Sequence, residues 1–421
     1  MDKKSKGAII MKIMSVNAGS SSLKFQLLEM PAEKVLISGV VEEIGTGHEG
    51  SYTVKIEGQE FEKKQVCKDH SQAVELMLND LIERKIIKDY NEIDGVGHRV
   101  VSGGVNITKS AVITPEVKET IRECIPLAPL HNPAHLTGIE AFQKALPNVF
   151  QIVVVDTAFH MTMEKDAYTY ALPYEWCDKY QVRKYGAHGT SHQFVSKRCA
   201  ELMNRVGDEN LKIVTLHIGN GASLAAVKGG KCVDTSMGLG PLAGIPMGTR
   251  CGSVDPTIVE YIMGIKEEEH KKDPSVKPYD VHDVLRIFNK ESGYKGYSGV
   301  SSDSRLLENA AKEGNERAQT VLDLQAKRVC DYIGSYYVYM GGIDAIVFTA
   351  GIGENSESFR RRVLDRLTVL GVKYDEKLIG ARKQEIEIST ADSKIKVFVI
   401  PTNEELAIAR DVVRLKQENN K

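Results

Sequence analysis

A mostly apolar run over residues 9–16, broken only by Lys12 and Ser15, ends at Asn17 in a run of small residues, and apolar and polar positions alternate from Leu23 onward. An apolar run and an alternating run on either side of Asn17-Ala-Gly-Ser-Ser-Ser predict a β-hairpin, its first buried strand spanning 9–16. Its tip is almost all small polar groups, which let a ligand approach the backbone, and turn N–H groups form concavities that suit anions. Lys24 stands just past the tip. Residues 35–41 continue the alternation, and 52–56 with 60–66 predict another hairpin around Glu57-Gly58-Gln59. Ala73, Leu76, Met77, Leu81 and Ile82 recur at helical spacing. A strand follows at 93–101, then a helix from Thr114-Pro115, with Thr as N-cap and Pro in the first turn. Another helix begins at Asn132-Pro133, and 151–155 is a short apolar strand ending at Asp156.

Beyond a loop around 168–185 the pattern restarts. Residues 211–218 predict a strand, Gly219-Asn220-Gly221-Ala222 a small tip, and 223–227 the returning strand, with Gly229-Gly230 turning the chain again. Strand, Gly-rich tip, Ser-Leu, strand thus occurs twice, which implies two similar half-folds. Helices dominate from Asp255 to Met340, with a charged linker expected at 267–273. A buried strand at 343–349 opens through Ala350-Gly351-Ile352-Gly353-Glu354-Asn355 into a helix, a geometry that suits anions. The spacing is neither Gly-x-Gly-x-x-Gly nor a P-loop. A strand at 395–400 leads into the last helix, and the whole reads as α/β.

A chain of 421 residues exceeds one ordinary core, so two domains are expected. Net charge is −2 with no basic stripe, which argues against a nucleic-acid partner. Seven scattered cysteines without a Cys-x-x-Cys pair suit a reducing compartment. Lys3, Lys4 and Lys6 before an apolar stretch resemble the start of a secretory signal, but Lys12 interrupts that stretch and no small-residue cleavage site follows. No run approaches the ~20 apolar residues of a membrane span, so a cytoplasmic protein without a membrane partner is expected.

Arg99 and Arg250 lie beside glycines, where a guanidinium can present its fork to carboxylate or phosphate, although a structural ion pair is the ordinary use of a single Arg. His131/His135 and His188/His192 have the i, i+4 spacing of zinc ligands, yet no His-Glu-x-x-His accompanies them. Asp156 ends a buried strand where α/β proteins bind ligands, and edge or capping Asp residues occur there too. Glu404 opens a helix, where an acid suits the dipole. No nucleophile elbow surrounds the Ser run. Several Gly-rich anion tips with Arg, His, Asp and Asn point to phosphoryl transfer.

Asn17-Ala-Gly-Ser-Ser-Ser-Leu-Lys24, Leu127-Ala-Pro-Leu-His-Asn-Pro133, Asp156-Thr-Ala-Phe-His160 and Tyr185-Gly-Ala-His-Gly-Thr-Ser-His192 resemble the acetate kinases. So do His217-Ile-Gly-Asn-Gly221, Met247-Gly-Thr-Arg250, Gly351-Ile-Gly-Glu-Asn355 and Pro401-Thr-Asn-Glu-Glu405, in order from Met11 onward. The resemblance implies a duplicated ribonuclease H-like (actin-like ATPase) fold with an interdomain cleft that holds ATP. It implies one domain of residues 1–157 plus 403–421, and a second, nucleotide-binding and dimerising, of residues 158–402. It also implies a homodimer and the reversible reaction of ATP with acetate to ADP and acetyl phosphate.

Carried over by position, Asn17 and Glu404 match the Mg²⁺ site (Mn²⁺ being the other candidate) and Lys24 an ATP contact. Arg99 matches the carboxylate-binding Arg, Asp156 the active-site acid, and His188 and Arg250 the transition-state stabilisers. His131 matches another active-site His, and Val101, Leu130 and Pro241 the pocket for the acetate methyl. The nucleotide segments correspond to His217, Ile218, Gly219, Asn220 and Gly221, to Asp303, Ser304 and Arg305, and to Gly351, Ile352, Gly353, Glu354 and Asn355. The family usually has His at Ser102, Ser at Cys251, Asp at Ser253 and often Phe at Val155, while some relatives carry Phe at Ala187. These departures bear on rate and on the acid preferred. Two other readings are a propionate kinase of the same family and, from another class, a non-catalytic actin-like nucleotide switch; a zinc hydrolase is the third.

Overall fold

The two runs around the first tip close as an antiparallel pair, β1 (Met11–Ala18) and β2 (Ser22–Met30), with Asn17 opposite Lys24. The computed structural model describes residues 9–419; Lys3, Lys4 and Lys6 lie outside the described residues. Ile9 and Ile10, expected in the buried strand, precede β1 and stand 79% and 66% exposed. Burial begins only where β2 flanks the chain on one side, from Met11, and a parallel neighbour on the other, from Lys12.

Two compact units result, one from the N-terminus to Met161 together with Asn403 onward, the other Thr162–Thr402. The first adds β3 (Lys34–Glu42), β4 (Gly50–Ile56), β5 (Gln59–Gln65), β6 (Ile93–Val100), β7 (Ala111–Val112) and β8 (Phe150–Val155). Its sheet order is β5-β4-β3-β2-β1-β6-β8-β7, with β1, β6 and β8 parallel. Met14, Val16, Phe25 and Leu27 pack against Ala73, Val74, Met77 and Leu81 of the helix His70–Glu83. Ile82 of that predicted face is instead 37% exposed, because Val74 and Leu78 centre the buried stripe one position away. Thr114 caps the helix Pro115–Glu123 by accepting from the Val117 N–H, as the Thr-Pro pattern predicts.

The C-terminal helix, Glu404–Asn419, returns to this unit and packs on β6. Its close approach depends on two glycines of that strand. A Cβ at Gly95 would stand 2.5 Å from Val412 Cγ1, and one at Gly97 would stand 2.3 Å from Ile408 Cγ2.

The second unit holds β9 (Lys212–Ile218), β10 (Ala222–Lys228), β11 (Lys231–Thr235), β12 (Ala345–Thr349), β13 (Ile386–Glu387) and β14 (Lys396–Val399). The order β11-β10-β9-β12-β14-β13 repeats that of the first unit, three antiparallel strands followed by two parallel ones. β3-β2-β1-β6-β8 and β11-β10-β9-β12-β14 are the two half-folds that the repeated pattern suggests, and they form the duplicated ribonuclease H-like fold that the resemblance implies. Val214, Leu216 and Ile218 bury against Ala326, Val329 and Ile333 of the long helix Glu316–Met340.

The charged stretch 267–273 is not a linker: the helix Thr257–Lys272 runs through it, held by Lys271 on Glu267 (3.3 Å) and Glu268 (2.8 Å) at helical spacing. The helix Gly189–Leu202 has no apolar stripe to announce it, since it buries Thr190, Ser191, His192 and Ser196 beside Val195 and Cys199. Among the described residues no helix is long and apolar enough to cross a membrane, and no disulfide joins any of the seven cysteines.

Candidate functional site

In the first unit β6 and β8 end side by side, and Asp156 follows with its N–H on the Val100 carbonyl at 2.9 Å. Arg99 and Asp156 are thereby brought into a two-pronged ion pair. Arg99 Nη2 donates to Asp156 Oδ2 at 2.7 Å, and Nε reaches Oδ2 and Oδ1 at 3.1 and 3.3 Å. Asp156 is fully buried, while the Arg99 side chain keeps 20% exposure. Burial opposes the Arg99 cation, but Asp156, Glu404 and Glu405 outweigh it and hold its pKa above the ordinary value. Burial pushes the Glu404 carboxyl up to about 7, with Arg99 opposing and Asp156 and Glu405 adding. Asn17, Lys24, Arg99 and Glu404 line one cavity of about 460 Å³.

Val101 is buried, its N–H on His135 Nδ1 at 3.4 Å, whereas Leu130 stands 57% exposed. Burial first, then Arg99, His131 and His98, depress His135 to a pKa of about 3. The half-buried His131 ring lies 6.4 Å from that of His135. Asn132, wholly buried, accepts from the Ser102 N–H (3.2 Å) and donates to the Ser102 and Ile121 carbonyls (2.9 and 3.1 Å). The Ser102 turn after Arg99 is therefore clamped by Asn132, which was expected to start a helix and belongs to the Leu127–Pro133 motif. At the hairpin tip Gly19 N–H donates to the Ser22 carbonyl at 2.7 Å, and His70 Nε2 lies 2.8 Å from the Gly19 carbonyl.

In the second unit three histidines gather at the end of β9. His188 has a left-handed backbone, φ 56°, just before the helix Gly189–Leu202. Its ring stacks on His217 at 4.1 Å between centroids and 18° between planes. His217 Nδ1 is 2.8 Å from Ser191 Oγ, and His188 Nδ1 is 2.8 Å from Ser223 Oγ. A Cβ at Gly221 would lie 3.5 Å from His188 Nε2 and 3.6 Å from Arg250 Nη1, so both groups face the space that this glycine leaves open. Arg250 Nη1 donates to the Pro241 carbonyl at 3.1 Å. Among the described residues no carboxylate pairs with Arg250, and burial lowers its pKa. Pro241 thus supports Arg250, and it belongs to a different unit from Val101 and Leu130.

A cavity of about 1240 Å³ in the same unit is lined by Gly219, Asn220, Asp303, Ser304, Arg305, Gly351, Ile352 and Asn355. Three separate sequence segments meet there. Ile218 instead points into the core, and Glu354 turns back to accept from the Ala350 and Thr402 N–H groups at 2.9 and 3.2 Å. Gly353 is tied through its carbonyl to Arg360 Nη1 at 2.8 Å. The Arg360 guanidinium is wholly buried and also reaches the Ile379 and Ala381 carbonyls. Burial lowers its pKa to about 10, with Glu357 opposing. No part in a site was expected of Ser223, Thr215, Asn132 or Arg360. His192 was visible through its spacing from His188, but what the two rings share is the Ser223 hydroxyl.

Residues 12–410 match the model of the acetokinase family. The chain is 52% identical over 406 residues to an acetate kinase of Bacillus velezensis, covering 96% of this chain and 100% of that protein. Among solved structures, acetate kinase of Porphyromonas gingivalis superposes with a TM-score of 0.89 at 43% identity, covering 96% of this chain and 100% of that one. A propionate kinase of Francisella tularensis superposes with a TM-score of 0.86 at 37% identity, covering 95% and 98%.

Proposed function

The chain belongs to the acetokinase family, and on that footing we propose that it reversibly transfers the γ-phosphoryl group of ATP to acetate, giving acetyl phosphate and ADP. A free carboxylate is ionised at pH 7, since ordinary carboxyl pKa values lie near ~4. The nucleophile therefore needs no strong general base, and the difficulty is to bring one anion up to another. Arg99 takes the acetate carboxylate, oriented by Asp156, with Val101 and Leu130 about the methyl group and His131 near the acid. His188 and Arg250 carry the charge on the transferring phosphoryl group. Lys24 and the residues around the 1240 Å³ cavity take the nucleotide. The observation that carries this reading is the convergence of His188 Nε2 and an Arg250 without a carboxylate on the space over Gly221.

Asn17 and Glu404 would hold Mg²⁺. Among the described residues no three His, Cys, Asp or Glu side chains gather as a self-sufficient metal site. An amide oxygen and one carboxylate suit Mg²⁺, which keeps waters and takes phosphate oxygens as further ligands. The raised Glu404 is also a carboxylate short of positive charge. Bound there, the ion would neutralise phosphate charge.

A homodimer is part of the same reading. The helix Thr257–Lys272 buries none of its residues within the chain, and it leaves Tyr261 68% exposed. A mass of one chain by light scattering would remove the dimer. The compartment proposed is the cytoplasm, in keeping with seven cysteines that form no disulfide.

The deciding experiment traps acyl phosphate with hydroxylamine in the presence of ATP, Mg²⁺ and formate, acetate, propionate or butyrate in turn. Acetate is expected to turn over best. Best turnover of propionate moves the assignment to the propionate kinase reading, which the 37% likeness to such an enzyme supports. No turnover of any acid would leave the nucleotide switch.

A further inference from the structure

His188 is held from behind by a chain of buried groups, and the bond from Thr215 to a carbonyl at its far end sets the direction of that chain. Thr215 Oγ1 donates to the Ala225 carbonyl at 3.4 Å, and a carbonyl can only accept, so this bond uses the single hydroxyl hydrogen. Thr215 Oγ1 must then accept from His192 Nδ1, 2.7 Å away. A neutral imidazole carries one hydrogen, which leaves His192 Nε2 as an acceptor for the Ser223 hydroxyl at 2.8 Å. Ser223 Oγ, its hydrogen spent, accepts from His188 Nδ1 at 2.8 Å. Thr215, His192 and Ser223 are all fully buried, so no water shell competes for these bonds.

We propose that Thr215, His192 and Ser223 are positioning residues that lock the His188 hydrogen on Nδ1, so that Nε2 faces the transferring phosphoryl group bare and donates to it only after taking up a proton. This rests on the phosphoryl-transfer reading above. With Nδ1–H fixed, neutral His188 offers a lone pair towards the phosphoryl oxygens, which repels them, whereas the imidazolium offers N–H and a positive charge. The arriving anion favours protonation at Nε2, so binding the phosphoryl group and taking up one proton from solution become a single event. The charged and titratable groups facing His188 act on the same balance: Arg250 across the Gly221 space opposes the imidazolium, His217 stacks on the ring, and His192 lies behind Ser223. The left-handed backbone of His188 aims the ring into both contacts.

Thr215→Val tests this without touching a reactant. Valine has the shape of threonine but no acceptor, so the His192 hydrogen moves to Nε2, the Ser223 hydroxyl reverses, and neutral His188 acquires a hydrogen on Nε2. The wild-type kcat is expected to fall tenfold per pH unit on its alkaline side. In Thr215→Val that limb should shift upward by a unit or more, with KM for ATP and acetate within about twofold, and Thr215→Ser should restore the wild-type profile. A Thr215→Val enzyme with an unshifted limb, whatever its kcat, would overturn the relay and leave Thr215 a packing residue. Should the variant not fold, ¹⁵N spectra of the histidine-labelled wild-type protein at pH 8 decide: Nδ1–H at His188 supports the relay, Nε2–H refutes it. The spectra are independent of turnover, so a wild-type chain that phosphorylates no acid fails the proposed reaction, while the wrong tautomer in an active enzyme fails the relay alone.

Discussion

Arg99 and Asp156, 57 residues apart, meet through Nη2 and Oδ2 at 2.7 Å with Nε bridging both carboxylate oxygens. The pair leaves the Arg99 fork oriented and partly exposed over a carboxylate that water does not reach. Removing one partner of such a buried pair strands the other charge, at a typical cost of about 3 kcal/mol or more. Asp156→Ala is therefore expected to lower stability in urea by about that much and to abolish measurable acetate phosphorylation. Asp156→Ala at wild-type stability would show that the pair carries no structural weight.

Arg250 has the opposite character, a half-buried cation that, among the described residues, donates to a carbonyl and a thioether and to no carboxylate. A cation left without a carboxylate is available for charge that develops during the reaction. Where an Arg acts as a finger on a transferring phosphoryl it is worth about 10³ or more in rate. Arg250→Ala should lower kcat on that scale while KM for acetate changes little, as read by steady-state kinetics. An unchanged kcat would end its assigned role.

His98 gives the first unit a pH dependence. Its ring is buried, Nε2 donates to the Gln151 Oε1 at 3.0 Å, and burial depresses its pKa to about 4 with that hydrogen bond opposing. In the unfolded chain the value returns to about 6.5. Below pH 6.5 the unfolded state thus binds a proton that the folded state refuses. Stability falls as pH drops from about 6.5 to about 4, by about 3 kcal/mol for this group, and His135 adds in the same direction. Urea midpoints at pH 7 and pH 5 measure the slope. His98→Gln should reduce it, and an equal slope in the variant would remove His98 as the source.

Gly97 links a strand glycine to the proposed Mg²⁺ position. A Cβ there would collide with Ile408 at 2.3 Å, and Ile408 lies one helical turn from Glu404. Gly97→Ala should shift the C-terminal helix and cost about 1–3 kcal/mol of stability. It should also raise the Mg²⁺ concentration needed for half-maximal activity, with KM for acetate rising as well. A variant with wild-type Mg²⁺ dependence would uncouple this packing contact from the site.

Much of the local structure was legible in the sequence, because local structure answers to local pattern. Apolar runs broken by small-residue tips marked the strands around Asn17 and Gly219, Thr114-Pro115 marked a helix start, and small residues beside Arg99 and Arg250 marked where a guanidinium could be presented. The repeated strand-tip-strand pattern foretold two half-folds, and the matching strand orders bear that out. Pattern failed where an element's burial is not apolar. The helix after His188 buries mostly small and polar groups, and the charged end of Thr257–Lys272 is held by its own ion pairs.

What only the tertiary structure decided is which side chains share a partner. Nothing local to Ser223 says that two imidazoles will meet at its hydroxyl, nor does Glu404 reveal that its helix returns to rest on Gly95 and Gly97. The opening hairpin shows the same division: its strands follow from an apolar run and an alternating run on either side of a small-residue tip, but Asn17 comes to face Arg99 and Glu404 in one cavity through chain contacts hundreds of residues apart. Alternation and capping act over a few residues and are written in neighbouring letters. The pKa of Glu404, the pairing of Arg99 and the direction of the His188 hydrogen bond arise from burial and Coulomb interaction between groups that only packing brings together.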